Sequence, residues 1–320
     1  MRRPLFSLVV PVYREADGIA PFLKRVLPVL RSLPADYEVV FCLDPCDDGT
    51  EERIAAAVAK DKHLRLMVFS RRFGQPAATL AGLRASKGDA VAVIDVDLQD
   101  PPEIIPEMYA RLNEGAEVVV AKRRSRRGET AAKRWVSTLG YWLINSVSDV
   151  AIPRETGDFR LMSRRVVAHV CALREKHGFL RGLVAFVGFK QAVVEFDRVE
   201  REQGEGKYNR YLGSLTIGFN GLVGFSNFLL NMTLLAGLVV SAFALVGALF
   251  MVVTFLMHVP YPVGIPSLTI LVMFLGGLQL VSVGILGQYL GRVYDEVRDR
   301  PTSIVDRSYN LPGSARAPRR

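Results

Sequence analysis

What this sequence lacks first is charge. From Tyr211 to Gly291 it holds no Asp, Glu, Lys or Arg, and His258 is its single basic side chain. A stretch of that length is hard to reconcile with a water-soluble fold, whose surface helices interleave charged residues with apolar ones. Cysteine is also scarce. Cys42, Cys46 and Cys171 form neither a disulfide framework nor a zinc-binding spacing, and they read as reduced small residues. No signal peptide is expected, because Arg2 and Arg3 lead into an apolar run too short for an h-region. A P-loop is missing as well: in Gly204-Glu205-Gly206-Lys207-Tyr208 the first glycine is too close to the lysine, and no Ser or Thr follows it.

Half of the 320 residues are hydrophobic and the mean hydropathy is +0.21, so part of the chain is expected in lipid. One crossing takes about 20 apolar residues, which leaves room for two spans, 231–257 and 266–290. Pro260, Pro262, Gly264 and Pro266 break helix geometry between them and predict a tight turn. Residues 211–230, with Gly213, Gly218, Gly221 and Gly224 among aromatics and leucines, read as an interfacial segment. The alternative is a buried hydrophobic hairpin in a large soluble domain. The turn carries no Lys or Arg, whereas Lys207 and Arg210 precede the hairpin and Arg292, Arg298 and Arg300 follow it. This asymmetry predicts a multi-pass protein of the inner (plasma) membrane with both termini cytoplasmic, residues 292–320 forming a basic tail. Gly237, Gly247, Gly276, Gly277, Gly284 and Gly287 permit close helix packing, as in a homo-oligomer.

Residues 1–210 read as a cytoplasmic α/β domain. Leu5 to Val10, Tyr37 to Leu43, Leu64 to Phe69, Ala90 to Ile94 and Glu117 to Ala121 are expected strands, separated by amphipathic segments such as Ile54 to Lys60. In such a sheet ligands bind beyond the carboxyl ends of the strands. Polar clusters fall at those ends: Pro11 to Glu15, Asp44, Ser70 to Gly74, and Asp95 to Pro101. Asp95 and Asp97, followed by Gln99, offer oxygen ligands to a hard divalent cation, Mg²⁺ or Mn²⁺, that also bridges a diphosphate. The net charge of +9 suits docking on anionic lipid and binding of phosphorylated substrates as well as it suits nucleic acid, and no nucleic-acid partner is expected.

The runs VVPVYRE (9–15), SRRFGQPAATLAGLRASKGDAVAVIDVDLQDPPE (70–103), AKRRSRRGE (121–129), TGDFRLMSRR (156–165), GEGKY (204–208) and GQYLGRVYDEVRDRP (287–301) resemble family 2 glycosyltransferases. The resemblance extends to about residue 307. It is closest to the polyprenyl-phosphate branch, which includes dolichyl-phosphate mannose synthases and bacterial bactoprenol glucosyltransferases. It implies a GT-A, Rossmann-like fold and inverting transfer from a nucleotide-sugar to a polyprenyl phosphate, and it is compatible with a tetramer. By matching positions, Pro11, Tyr13, Glu15 and Asp44 would hold the nucleoside, while Asp95, Asp97 and Gln99 would handle diphosphate and metal. Arg123, Arg134 and Thr138 would meet the lipid phosphate, and Arg201 and Lys207 would sit on a loop closing over the donor. Two departures bear on donor identity: Leu43-Asp44-Pro45-Cys46 replaces the usual Asp-Asp-Gly-Ser, and Gly206 stands where serine is common.

The chemistry assigns further roles. A departing nucleoside diphosphate gathers negative charge, which a cation at Asp97 would offset with help from Lys207 and Arg71. A phosphate monoester has a second pKa near 6, so it attacks as a dianion without a strong general base. Asp158 stands in the base position but is expected to orient Arg160 or the acceptor. A structural Asp158–Arg160 ion pair is the alternative. Asp97, Asp158 and Lys207 thus form the expected catalytic set, and Arg160 and Arg201 join the acceptor phosphate, with Arg124, Arg126 and Arg127 on anionic headgroups. Because the AKR, DVDLQDP and GDFRLMSR runs look most like bactoprenol glucosyltransferases, the resemblance makes UDP-glucose and undecaprenyl phosphate the favoured pair, for a role in cell-envelope glycosylation. GDP-mannose is the alternative donor, and a non-catalytic membrane scaffold is the alternative outside enzymes.

Overall fold

The computed structural model describes residues 3–124, 156–173, 180–197, 228–258 and 264–311. Each expected strand forms: β1 (Leu5–Val12), β2 (Asp36–Leu43), β3 (Leu64–Phe69), β4 (Ala90–Val93) and β5 (Val118–Arg123). Between them lie α1 (Ile19–Ser32), α2 (Thr50–Val58), α3 (Gln75–Ala85) and α4 (Ile105–Asn113). The chain continues through β6 (Thr156–Ser163), α5 (Arg164–Ala172), α6 (Leu180–Phe186) and β7 (Gln191–Phe196). Two long helices follow, α7 (Phe228–Leu256) and α8 (Ile265–Val297), and then a last strand β8 (Val305–Tyr309).

The eight strands make one sheet in the order β7-β5-β6-β4-β1-β2-β3-β8. β1 pairs in parallel with β2 and β4, and β2 with β3, so four strand ends and their following loops share one edge. β6 runs antiparallel between β4 and β5, with Val93 opposite Arg160. Because it runs backwards, its first residues, Thr156 to Asp158, arrive at that same edge.

Side chains alternate across the pleat. Phe6, Leu8, Val10 and Val12 of β1 enter one apolar layer, with Phe22, Val26 and Leu30 of α1 and Met108 of α4. Val9 faces the opposite layer, with Leu80 and Leu83 of α3, Val166 and Val170 of α5 and Leu183 of α6. The result is a sheet covered by helices on both faces, as runs of Val, Leu and Ile in parallel strands require.

The expected basic tail needs correction. Residues 305–309 form β8, antiparallel to β3, so the domain expected to close at residue 210 takes its eighth strand from beyond the charge-free region. The reason is the edge of β3, whose backbone groups would otherwise lack a partner strand. α7 and α8 occupy the region expected as spans and touch each other. Among the described residues one stretch, Phe274–Val297, is long and apolar enough to cross a membrane. Leu234, Phe243, Leu280 and Leu290 on these helices point outward. Of the expected interfacial segment, 211–227 lies outside the described residues, and 228–230 begin α7.

α3 lies close against β1 and β2 at Gly82. A Cβ there would stand 2.3 Å from Val9 Cγ1 and 2.7 Å from Cys42 Sγ. Gly82→Ala gains about 1 kcal/mol of helix propensity, but the overlap with a stiff β-branched side chain costs about 1–3 kcal/mol or more. We expect a net loss of stability, read as a lower denaturation midpoint, and Gly82→Ser should lose at least as much.

Candidate active site

The first loop at the shared edge follows β1. Pro11 is buried within the strand, whereas Tyr13 and Glu15 are half-buried beyond it. The Glu15 amide donates to Thr50 Oγ1 at 3.0 Å, and the Thr50 hydroxyl donates to Asp48 Oδ1 at 2.7 Å, so this loop is tied to the start of α2. Arg14 has a φ of 54°, a left-handed conformation that side chains favour little. Leu98, between Asp97 and Gln99, has the same character at 57°. Backbone strain of this kind persists where surrounding contacts impose it, and here both instances border the candidate site.

Asp44, expected at the nucleoside, is buried, and its two oxygens accept the Phe73 and Gly74 amides, each at 2.9 Å. Its carboxylate therefore braces the Ser70 to Gly74 loop. That loop lays Arg72 over the Tyr13 ring at 4.1 Å and Arg71 over Phe73 at 4.2 Å. Two cations on aromatic faces thus stand beside the start of α3, whose free amides add positive potential.

Acidic groups crowd the end of β4. Asp95 is pushed up to about 8, first by burial and then by the charges of Asp158, Asp97 and Asp100. Gln75 Nε2 donates to Asp95 Oδ1 at 2.8 Å. Asp97 Oδ1 accepts the Gln99 amide at 3.1 Å, which closes a local turn after β4. Among the described residues no three His, Cys, Asp or Glu side chains converge as a ligand set. A cation held largely by a diphosphate takes only one or two protein carboxylates. The crowding is the structural sign that positive charge belongs here, and it is compatible with a divalent ion beside these acids.

Cationic side chains meet these acids from β5 and α6. Arg123, at the end of β5, reaches Asp100 Oδ1 at 3.4 Å, and its buried Nε has no hydrogen-bond partner among the described residues. Arg181 of α6 donates through Nε to Asp158 Oδ1 at 2.9 Å. Burial alone would raise Asp158, but Arg181 and then Arg160 hold its carboxyl below the usual range.

The position of Arg160 corrects the expectation that it meets the acceptor. It is 2% exposed, and its guanidinium donates to the Gly157 and Asp158 carbonyls at 3.0 and 3.3 Å. Burial lowers its pKa to about 10, so it stays charged at neutral pH while serving as a brace under the Gly157-Asp158 turn. Its carboxylate contact to Asp158 is long, 3.9 Å, and the main partner is Arg181. Sequence reasoning missed Arg181, Asp100 and Gln75. An arginine inside the apolar run Leu180 to Phe186 was the available signal for the first. Arg134, Thr138, Arg201 and Lys207, with Arg126 and Arg127, lie outside the described residues.

An α/β domain whose strand ends gather carboxylates and arginines around one edge has the form of a GT-A nucleotide-sugar-binding domain. Residues 7–171 match the family model for glycosyl transferase family 2. The chain belongs to that family and is a glycosyltransferase. It is 39% identical over 304 residues to the SfII prophage-derived bactoprenol glucosyl transferase of Shigella flexneri, covering 95% of this chain and 98% of that one. It is also 39% identical to an uncharacterized glycosyltransferase of Synechocystis sp., over 95% of this chain and 96% of that protein. A bactoprenol glucosyl transferase homolog of an Escherichia coli prophage is 38% identical over 94% of this chain and 98% of its own length.

Removing the Arg181 guanidinium leaves Asp158 among other acids. We expect Arg181→Ala to lose about 2 kcal/mol of stability, the worth of a charge-assisted hydrogen bond, and most of the activity, while Arg181→Lys keeps more of both. Thermal melts and initial rates at saturating donor read the two effects separately.

Proposed function

We propose that this enzyme transfers a hexosyl group, with inversion, from a nucleotide-sugar to a polyprenyl phosphate at the cytoplasmic face of a bacterial inner membrane. UDP-glucose and undecaprenyl phosphate are the favoured pair. The observation that carries the reading is the acidic crowding at β4 faced by Arg123 and Arg181, which suits two phosphorylated substrates brought together with a cation. Support for the acceptor and for glucose comes from the relatives named as bactoprenol glucosyl transferases, which match the chain nearly end to end.

The nucleoside would lie over the Tyr13 and Glu15 loop, and its diphosphate between Arg71 or Arg72 and Asp97. A divalent ion held by Asp97, with Asp95 and Gln99 behind it, would offset charge on the departing diphosphate. The acceptor phosphate would approach from the Arg123 side, where the buried Nε has no hydrogen-bond partner among the described residues and Asp100 holds the guanidinium in place. A carboxylate held below its usual range by Arg181 is a weak proton acceptor at neutral pH. Asp158 therefore suits an orienting and charge-setting role, and a phosphate dianion needs no base. By the positions that match the family's motifs, Lys207 and Arg201 would add positive charge over the donor, and Arg134 and Thr138 would meet the acceptor phosphate.

Membrane attachment fits the same reading. α7 and α8 would cross the bilayer as a hairpin. Because β8 returns to the same sheet that precedes α7, the chain must cross an even number of times between them. That parity puts the domain and the chain after α8 on one side of the bilayer, and the Lys and Arg flanking the hairpin favour the cytoplasmic side.

Purified protein with Mg²⁺ or Mn²⁺, a polyprenyl phosphate and labelled UDP-glucose or GDP-mannose tests the proposal. Glycolipid from UDP-glucose is the expected product. No glycolipid from any nucleotide-sugar, together with no nucleotide binding, would falsify it. In the same assay Asp97→Asn should abolish transfer and Asp158→Asn should retain a measurable rate. Arg123→Ala should raise the KM for polyprenyl phosphate about tenfold or more, with a smaller change in donor KM.

A further inference from the structure

β8 does more than cover an edge. It begins only a few residues after α8 ends, and the connection is continuous through the described residues. Its register places Tyr309 opposite Leu66, Arg307 opposite Val68 and Val305 opposite Phe69, with an irregularity between Val68 and Phe69. That irregularity sits where β3 gives way to the Ser70 to Gly74 loop. One residue beyond β3, the Ser70 amide donates to the Ile304 carbonyl at 3.0 Å. The loop that carries Arg71 and Arg72 is therefore held at its first residue by the segment leading out of α8, and farther along by Asp44.

Side chains of the same segment grip α2. Arg307 donates Nε and Nη2 to the two oxygens of Glu51 at 2.7 and 2.9 Å, and the Tyr309 hydroxyl lies 3.4 Å from the same carboxylate. Glu51 directly follows Thr50, the residue that accepts the Glu15 amide of the first loop. Asn310 Nδ2 donates to the Val58 carbonyl at the far end of α2 and to the Leu64 carbonyl at the start of β3, each at 3.1 Å. Arg84, in the last turn of α3, donates to Thr302 Oγ1 at 3.1 Å. Both loops assigned to the donor are thus fastened, at one remove, to the chain that leaves the apolar helix.

We propose that residues 302–310 are a positioning strap for the nucleotide-sugar, with Arg307 and Glu51 as its buckle: they transmit the seating of α8 to the Tyr13–Glu15 and Ser70–Gly74 loops. The inference rests on those loops receiving the donor. Arg307 and Glu51 touch no substrate in this account and act only through the loops. A merely structural edge strand would affect stability, whereas a strap also sets donor affinity.

The test uses the full chain in detergent micelles with UDP and Mg²⁺ as the probe. Affinity is measured by calorimetry and loop protection by amide hydrogen exchange. Arg307→Ala and Glu51→Ala are expected to speed exchange across 302–310 and across 70–74, and to weaken UDP binding about two- to fivefold, the scale of a partly exposed bidentate pair. The exchanged pair Glu51→Arg with Arg307→Glu should recover much of both. Arg307→Ala with Asn310→Ala, which unties both ends of α2, should exceed either single variant. UDP affinity and exchange at 70–74 unchanged in every variant would overturn the proposal, whether or not the strand itself loosens. Glycolipid synthesis is not read here, so a failure of the acceptor reading leaves the comparison standing.

Discussion

Repulsion among carboxylates at the end of β4 is the constraint around which the domain is organised. Burial raises Asp95, and Asp158, Asp97 and Asp100 lie close enough for their charges to raise it further. Like charges at short range in a medium of intermediate dielectric cost several kcal/mol, so a fold keeps such a group only where something offsets it. Here Arg181 offsets Asp158, Arg123 offsets Asp100, and Gln75 donates to Asp95. The offset at Asp95 is incomplete, and the remainder is the physical argument for a cation that arrives with the substrate.

The sheet decides which side chains can take part. Parallel pairing of β1 with β2 and β4 brings the loops after them to one edge, and the reversed β6 delivers Gly157 and Asp158 to that edge from its amino end. A parallel sixth strand would have carried Asp158 to the opposite end of the sheet. The turn it occupies is itself held by Arg160, whose burial beneath two backbone carbonyls explains why so polar a residue lies in a β-strand core.

These features were unequally legible in the amino-acid sequence. Runs such as Ala90 to Ile94 are apolar on both faces and short, which marks buried parallel strands, and the acidic cluster declared itself by its place after that run. Arg160 was misread because a charged residue two positions from Asp158 looks the same whether it faces a ligand or a carbonyl. Only the antiparallel register opposite Val93 separates the two. Arg181 and Asp100 were hidden because their partners lie far away in the chain. β8 was obscured by composition: Val305 to Tyr309 is short and half polar, as edge strands usually are, and the arginines around it suggested a basic cytoplasmic tail.

The strap and the acidic centre also bear on each other. A bowl of acids tolerates a diphosphate only while its cations stand close, and Arg71 and Arg72 belong to a loop whose placement depends on Asp44 and Ile304. If that loop drifts outward, attraction between those arginines and the diphosphate falls while repulsion from the fixed acids on β4 and β6 stays. Donor affinity is therefore more sensitive to loop position than the stability of the domain, which rests on the two apolar layers. In the proposed transfer this makes the seating of α8 a term in donor binding, so the lipid-borne acceptor and the soluble donor are read by elements joined through one sheet.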